Sequence, residues 1–421
     1  MPFTRVLLTL LLALSCWAQP AAADAKAQKA LSAAAGAPPA VTLINGSPLT
    51  IHVGADFSFQ VFNSTVPGQG QIFPSGTAPT GATADMGWFV RSAGTLFAPD
   101  FSAHESGTAT GGIGVNTPFS AIAVSAVSGS GSSANPFRVT VTGTAGASGL
   151  TVSQQVEYVN GENFFRKNFT LTNAGSASLT PTVILGGDIF LAAADSGRTF
   201  REAQSGSPGG QDCASPPTYT ILYIPLTPAD RYTGAFYNTV WTQIGAGQLD
   251  NALAPGCIDN GAALQWNRSL AAGQGVTLQA ATSFGQIPGI AQFNVSAVNP
   301  ASGAQGATLP VTISGFGFEA ATTFTFGPGI TVSNVVVSGP NSATATLVIS
   351  AAASVGPRDV VGTQRPAGLT STLFAGFQVS GAGGGQNPSG PTVVSSLSAT
   401  GLGLLALSLL LMGFIAVRRF H

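Results

Sequence analysis

Leu150-Thr151-Val152-Ser153-Gln154-Gln155-Val156-Glu157-Tyr158-Val159-Asn160-Gly161-Glu162-Asn163-Phe164 carries the pattern that decides the fold. Leu150, Val152, Val156 and Tyr158 fall on one side of an extended chain, and Thr151, Ser153, Gln155 and Glu157 on the other. A period of two is the signature of a strand with one buried face, because successive side chains point to opposite sides of a sheet. Asn160-Gly161 then separates this run from another beginning near Phe164. Asn-Gly accepts the left-handed backbone of a tight turn, so the two runs read as an antiparallel hairpin.

The same alternation recurs outward from it. Phe57, Phe59 and Val61 alternate with Ser58 and Gln60, and Phe137, Val139 and Val141 with Arg138 and Thr140. Gly, Ser, Pro and Asn punctuate these runs at the short intervals of a β-sandwich. Helical periodicity is found almost nowhere. The expected fold class is all-β: one large antiparallel sandwich over residues 39–288 and a smaller β domain over 290–380. Residues 24–38 are Ala-rich and read as a tether. Residues 381–396 form a Gly/Ser/Pro linker without apolar periodicity.

Composition supports a folded, exported chain. Charged residues are 7% of the sequence, against about 25% in ordinary soluble domains. Disordered chains are poor in apolar residues and rich in charge, whereas this one is 44% hydrophobic with 26 Phe among its 421 residues. A net charge of −1 offers no attraction to nucleic acid or to an anionic membrane.

The N-terminus reads as a signal peptide of residues 1–23, a substrate for signal peptidase. Arg5 is the basic region, residues 6–14 the apolar core, and Ala21, Ala22 and Ala23 precede a cleavage point at Asp24. Lipid attachment at Cys16 is the alternative, although the aliphatic residue before it, Leu14, sits one place late for that motif. At the other end, residues 401–417 are uncharged and apolar and are followed by Arg418 and Arg419. As a helix they would span about 25 Å, nearly a hydrocarbon core, with the arginines retained in the cytoplasm. These ends predict an exported protein at the cell surface or outside the cell, held transiently or permanently by a C-terminal transmembrane helix within residues 397–421.

Removal of Cys16 with the signal leaves Cys213 and Cys257, an even pair in an oxidising compartment. A disulfide between them would close a loop of roughly 45 residues and add about 4 kcal/mol in the chain-entropy model. A metal site there would need His nearby, and the three His residues are His52, His104 and His421.

Two segments resemble known families. Val298-Asn299-Pro300-Ala301-Ser302-Gly303, with Gly306, Val311, Ile313, Gly315, Gly317 and Phe318, resembles the opening of an IPT/TIG domain. Phe326-Gly327-Pro328-Gly329-Ile330, residues 345–349, Gly356-Pro357-Arg358-Asp359-Val360 and the closing Phe377 and Val379 continue the likeness across nearly all of 290–380. The resemblance implies an immunoglobulin-like sandwich of the kind used as a spacer or interaction module. The tail at 394–402, Val-Ser-Ser-Leu-Ser-Ala-Thr-Gly-Leu, followed by Leu404, Leu405 and Arg418-Arg419, is similar to an IPTL-CTERM sorting signal. That likeness implies processing by an exosortase-type protease, with Leu397, Ser398, Gly401, Leu402, Arg418 and Arg419 as its sorting residues. Ser395 and Ser396 stand where Pro and Thr are usual, and Ala399 and Thr400 where Glu and Trp are usual. Simple retention as an anchor is the alternative. Residues 129–137, 158–166 and 188–197 of the large domain resemble a β-rich domain of secreted bacterial proteins with no assigned activity.

Chemistry-bearing residues concentrate in one stretch. Asp188, Asp195, Glu202, Asp212, Asp230, Asp250 and Asp259 are seven of the sixteen acids. Loop carboxylates suit calcium, which takes six to eight oxygens, and Asp188, Asp195, Asp212 and Asp259 are the candidate ligands. Turn formation is the competing reading, since each of these except Asp212 adjoins Gly, Ser or Asn. Paired carboxylates such as Asp188 and Asp259 would also serve a glycosidase or polysaccharide lyase. Tyr219, Tyr223, Tyr232, Phe236, Tyr237, Trp241 and Trp266 share the segment, as a sugar-stacking platform or as ordinary core. His52 and His104 adjoin no nucleophile motif, and Gly111-Gly112-Ile113-Gly114 is not followed by a helical pattern. The expectation is therefore a non-catalytic surface or extracellular-matrix protein, not an enzyme, that binds a polysaccharide or another surface protein without a cofactor other than calcium. A carbohydrate-active enzyme or carbohydrate-binding protein acting through the large domain is the alternative.

Overall fold

The computed structural model describes residues 39–66, 70–75, 83–104, 108–192 and 194–382. The signal, tether, anchor and sorting residues of the sequence reading lie outside them. Among the described residues no helix is long and apolar enough to cross a membrane.

The Asn160-Gly161 hairpin forms as read. Strand Leu150–Tyr158 pairs antiparallel with Phe164–Asn173, from Arg166 opposite Glu157 to Asn173 opposite Leu150, and Gly161 has φ +91°. The hairpin sits in a nine-stranded sheet ordered Cys257–Ile258, Gly197–Arg201, Pro208–Gln211, Thr220–Ile224, Gly275–Gly285, Phe164–Asn173, Leu150–Tyr158, Phe137–Thr144, Ser120–Val124. A second nine-stranded sheet has as its main path Val41–Asn45, Leu49–Gly54, Ser58–Asn63, Ala84–Ser92, Thr182–Asp188, Asn260–Asn267, Arg231–Phe236. Leu150, Val152, Val156 and Tyr158 bury against Phe57, Trp88, Leu185 and Trp266 of this opposing sheet. Trp88 stacks on Phe169 with centroids 4.6 Å apart and lies 5.7 Å from Trp266. Large aromatics of this kind supply most of a core's buried area.

The period-two rule puts more than apolar residues inside. Lys167 lies between Phe165 and Phe169 on the inner face and is fully buried. Its Nζ donates to the Thr282 hydroxyl and sits 4.4 Å from the Phe165 ring centre and 5.2 Å from that of Phe59. Burial drives its amine well below the usual lysine range. Gln154 is also fully buried on that face.

One element departs from the expectation that helices are nearly absent. Residues Tyr237–Ala246 form an α-helix that buries Tyr237, Val240, Trp241 and Ile244 against Phe89, Ile184 and Ala263, on the outer face of the second sheet. The spacing of those four residues is helical. Adjacent aromatics obscured it by mimicking a strand run.

The small module is a second sandwich. One sheet is ordered Asn294–Asn299, Thr308–Phe316, Ser342–Ile349, Ile330–Gly339, the other Ser302–Ala304, Thr370–Ser380, Gly356–Thr363, Thr323–Thr325. Its core is Phe293, Ile313, Phe326, Leu347, Val360, Phe377 and neighbouring apolar residues. The two modules share an apolar cluster of Phe164, Leu222, Ile224, Leu226, Ala281, Ala291 and Phe316, and Asn294 Nδ2 donates to the Leu226 carbonyl at 3.3 Å.

Candidate functional site

Three of the four predicted calcium ligands come together. Asp188 ends strand Thr182–Asp188 opposite Gly261, and Asp259 lies two residues before Gly261. Strand alternation therefore puts Asp188 and Asp259 on one face. Gly261 leaves that face clear; a Cβ there would meet the Gly187 carbonyl at 2.7 Å and Val240 at 3.3 Å. Asp195 arrives from the turn closed by the Leu191–Ala194 bridge. One carboxylate oxygen from each of Asp188, Asp195 and Asp259 lies within 4.8 Å of the others; Asp188 and Asp195 are buried and Asp259 half-buried. The backbone carbonyls of Asp188 and Asp259 are engaged, by the amides of Phe73 and Tyr237. Burial of Asp188 leaves a sugar no access to a Asp188–Asp259 pair, so the arrangement suits a cation better than glycoside hydrolysis.

Asp212 is a correction to that ligand set. Its carboxylate accepts from the amides of Ala214 and Thr218 in an exposed turn, away from the other three. Slight burial raises its pKa, but these bonds outweigh that and hold it below the usual range. This is Asp as a turn residue. Cys213, one residue on, is bonded to Cys257, with Cα atoms 5.9 Å apart. Strand Gly197–Arg201 lies between strands Pro208–Gln211 and Cys257–Ile258, pairing Arg198 with both Gln211 and Cys257.

A buried dyad joins residues that the sequence left apart. His104 Nε2 lies 2.8 Å from Asp56 Oδ2, and the Ser58 amide and hydroxyl also bond the Asp56 carboxylate. Burial raises the Asp56 pKa, yet the hydrogen bond and charge of His104 and the bonds from Ser58 carry it below 3.8. Burial lowers the His104 pKa, yet Asp56, with Asp85 and Asp100, carries it above 6.5. The sequence separation of 48 between the partners explains why no motif betrays them. His52 is buried beside Phe62, with ring centroids 5.1 Å apart.

The predicted aromatic platform is mostly core: Tyr219, Tyr223, Tyr237, Trp241 and Trp266 are buried. The exceptions are Phe236, which is exposed, and the half-buried Tyr232. Tyr232 lines a cleft of about 320 Å³ between the modules, with Arg201, Ser205, Pro225, Asp230 and Asn251 on one side and Gly315, Phe316 and Asn341 on the other. The Arg201 guanidinium lies 4.3 Å over the Tyr232 ring, and its Nε donates to the Gly206 carbonyl at 3.1 Å. Gly206 holds φ +68° in the turn that brings that carbonyl round. The Tyr232 amide donates to Asn251 Oδ1 at 3.0 Å, anchoring the cleft wall. Asp230 Oδ2 accepts from Arg268 Nη1 at 2.9 Å and from the Asn267 amide at 2.6 Å. Nothing in sequence spacing announced a cleft whose walls come from two different modules.

A family model for domain III of the quinohemoprotein amine dehydrogenase alpha subunit matches residues 292–370. This match, rather than an IPT/TIG one, falls on the small module, whose immunoglobulin-like sandwich is as expected. No curated protein matches the chain. Among solved structures, a bacterial glucoamylase complexed with acarbose is similar at a TM-score of 0.38 and 9% identity, over 61% of this chain and 34% of that one. A heparan sulfate lyase mutant from Pedobacter heparinus has a TM-score of 0.37 and 7% identity, over 82% and 42%. A galactose mutarotase-like protein from Lactobacillus casei has a TM-score of 0.28 and 10% identity, over 58% and 99%. The chain thus spans less than half the length of the glucoamylase and of the lyase. The expectation of a non-catalytic surface protein is corrected at this point: the similar structures include carbohydrate-active enzymes. Likenesses this distant assign no substrate and no catalytic residue to this chain.

Proposed function

We propose that the chain is an exported carbohydrate-active protein that takes its saccharide in the cleft between the two modules. The cleft itself carries the reading. It is concave, it lies at a domain boundary where ligand sites concentrate, and apolar walls from Pro225 and Phe316 surround a few convergent polar groups. A sugar presents a similar mixture of C–H faces and hydroxyls. Asp230, Asn251 and Asn341 supply acceptors and donors for the hydroxyls. Asp230 is the cleft's carboxylate and the group placed for proton transfer to a bound sugar.

The test is a glycan and polysaccharide panel on the full chain, scored for both retention and product release. Asn341→Trp fills the cleft from an exposed position of the small module and should abolish retention. Asp230→Asn should keep binding and lose turnover. Retention by Asn341→Trp equal to that of the unmodified chain, or no saccharide retained or converted at all, overturns the reading. Recovery of the native protein from cytoplasm alone would remove its exported part.

A calcium ion held by Asp188, Asp195 and Asp259 is proposed separately, on the proximity of their oxygens. Calcium takes several oxygens from loop carboxylates, which is what this proximity offers. Calcium should therefore raise the unfolding temperature, and a chelator should lower it. Identical unfolding curves in both rule the ion out.

A further inference from the structure

We infer that Arg201 makes this cleft selective for anionic saccharides, those bearing carboxylate or sulfate groups. The inference rests on the cleft being the saccharide site. Arg201 ends strand Gly197–Arg201 and is exposed, so a ligand can reach it. Its guanidinium is nonetheless held in place, 4.3 Å over the Tyr232 ring and tied through Nε to the Gly206 carbonyl. Among the described residues neither Nη of Arg201 has a protein acceptor within hydrogen-bond reach. A planar fork fixed on an aromatic ring, with both terminal nitrogens free, matches the two oxygens of a carboxylate or sulfate.

The charges around it support the same sign. Asp230 is the acid that lines the cleft, and Arg268 occupies its Oδ2. Glu202, next in sequence to Arg201, turns its carboxylate to the amide and hydroxyl of Ser205, both at 2.7 Å. Neither acid is paired with Arg201, so its charge is left for the ligand. Arg231 also lines the cleft, but its Nη1 donates to the Leu249 carbonyl at 3.0 Å. Arg365, an exposed cation of the small module that does not line the cleft, serves as a control.

The experiment measures binding of the full chain to polygalacturonate, dextran sulfate and neutral dextran at low and high salt. Binding should favour the two anionic polymers and weaken with salt. Arg201→Gln should lose about 10- to 100-fold in affinity for both, the range for a charged hydrogen-bonded contact. Arg201→Lys should keep the charge and recover part of the loss, because an ammonium cannot fork. Arg365→Gln, at a position outside the cleft, should bind as the unmodified chain does, and unfolding temperatures should not move. Preference for polygalacturonate alone or for dextran sulfate alone, lost in Arg201→Gln, identifies the anionic group and supports the proposal. Equal binding of dextran, blocked by Asn341→Trp but indifferent to Arg201→Gln, overturns the selectivity while leaving the saccharide cleft standing. Absence of binding to every polymer overturns both.

Discussion

The two sandwiches are built from the same alternating strands, yet they fill their interiors differently. The small module's core runs from Phe293 to Val379, and the polar side chains buried with it, Asn294, Thr322, Gln364 and Ser371, are uncharged. The large module encloses a lysine, a glutamine and a tyrosine hydroxyl among its aromatics: Lys167, Gln154 and Tyr223 are all fully buried. Its outer layers add the His104–Asp56 pair and the three clustered aspartates. Burying an ionisable group costs more than burying a neutral hydrogen-bonded one, so the large module carries costs that the small one does not. The difference teaches where to look for a pH dependence: Asp56, His104 and Lys167, whose titration folding displaces, all lie in the large module.

That contrast breaks first at Asp56. Asp56→Asn leaves His104 buried beside a neutral amide and should cost about 3 kcal/mol. The dependence on pH follows from the two shifts. The Asp56 pKa is lower folded than unfolded, so its contribution is present above 3.8 and lost as pH falls through the folded value. That of His104 is higher folded than unfolded, so its contribution is complete below 6.5 and lost as pH rises through the folded value. The pair therefore helps most between these two unfolded-state values. Chemical denaturation across pH should show this maximum in the unmodified chain and a flattened profile in Asp56→Asn. An unchanged profile would falsify the pairing as a source of stability.

Lys167 gives the smaller effect, with the opposite sign. Lys167→Met keeps the length and removes an amine that folding must desolvate, and should stabilise the large module by about 2 kcal/mol. The lysine's folded pKa lies well below 10.5, so the folded state holds fewer protons than the unfolded one between those values. Stability of the unmodified chain should rise with pH through that window, and the gain from Lys167→Met should shrink over it. Calorimetry resolves whether the small module's transition stays still over the same range. Its movement in step with that of the large module would mean that the shared cluster around Phe316 makes the two unfold as one.

The legibility of these features follows their sequence range. The hairpin at Asn160-Gly161, the recurrent strands and the even cysteine pair were readable because alternation, turn chemistry and residue counts are local or compositional. The acid cluster was half readable. Asp188, Asp195 and Asp259 were singled out by type, but so was Asp212, and only strand register separates the three from the fourth. Helix Tyr237–Ala246 was missed because its aromatics satisfy two periodicities at once.

Sequence alone determined that the chain alternates, and so that it makes sheets with one face buried. Tertiary structure decided what those faces enclose. A strand's alternation specifies two sides without saying which strand will lie opposite, so Lys167 became interior only when Phe59, Phe165 and Thr282 closed over it. Asp56 met His104 through the fold of the chain between them. Arg201, Tyr232 and Asn341 became one cleft only when the second module docked on the edge of the first. Contacts of that range depend on packing between elements, which no local pattern of residues encodes.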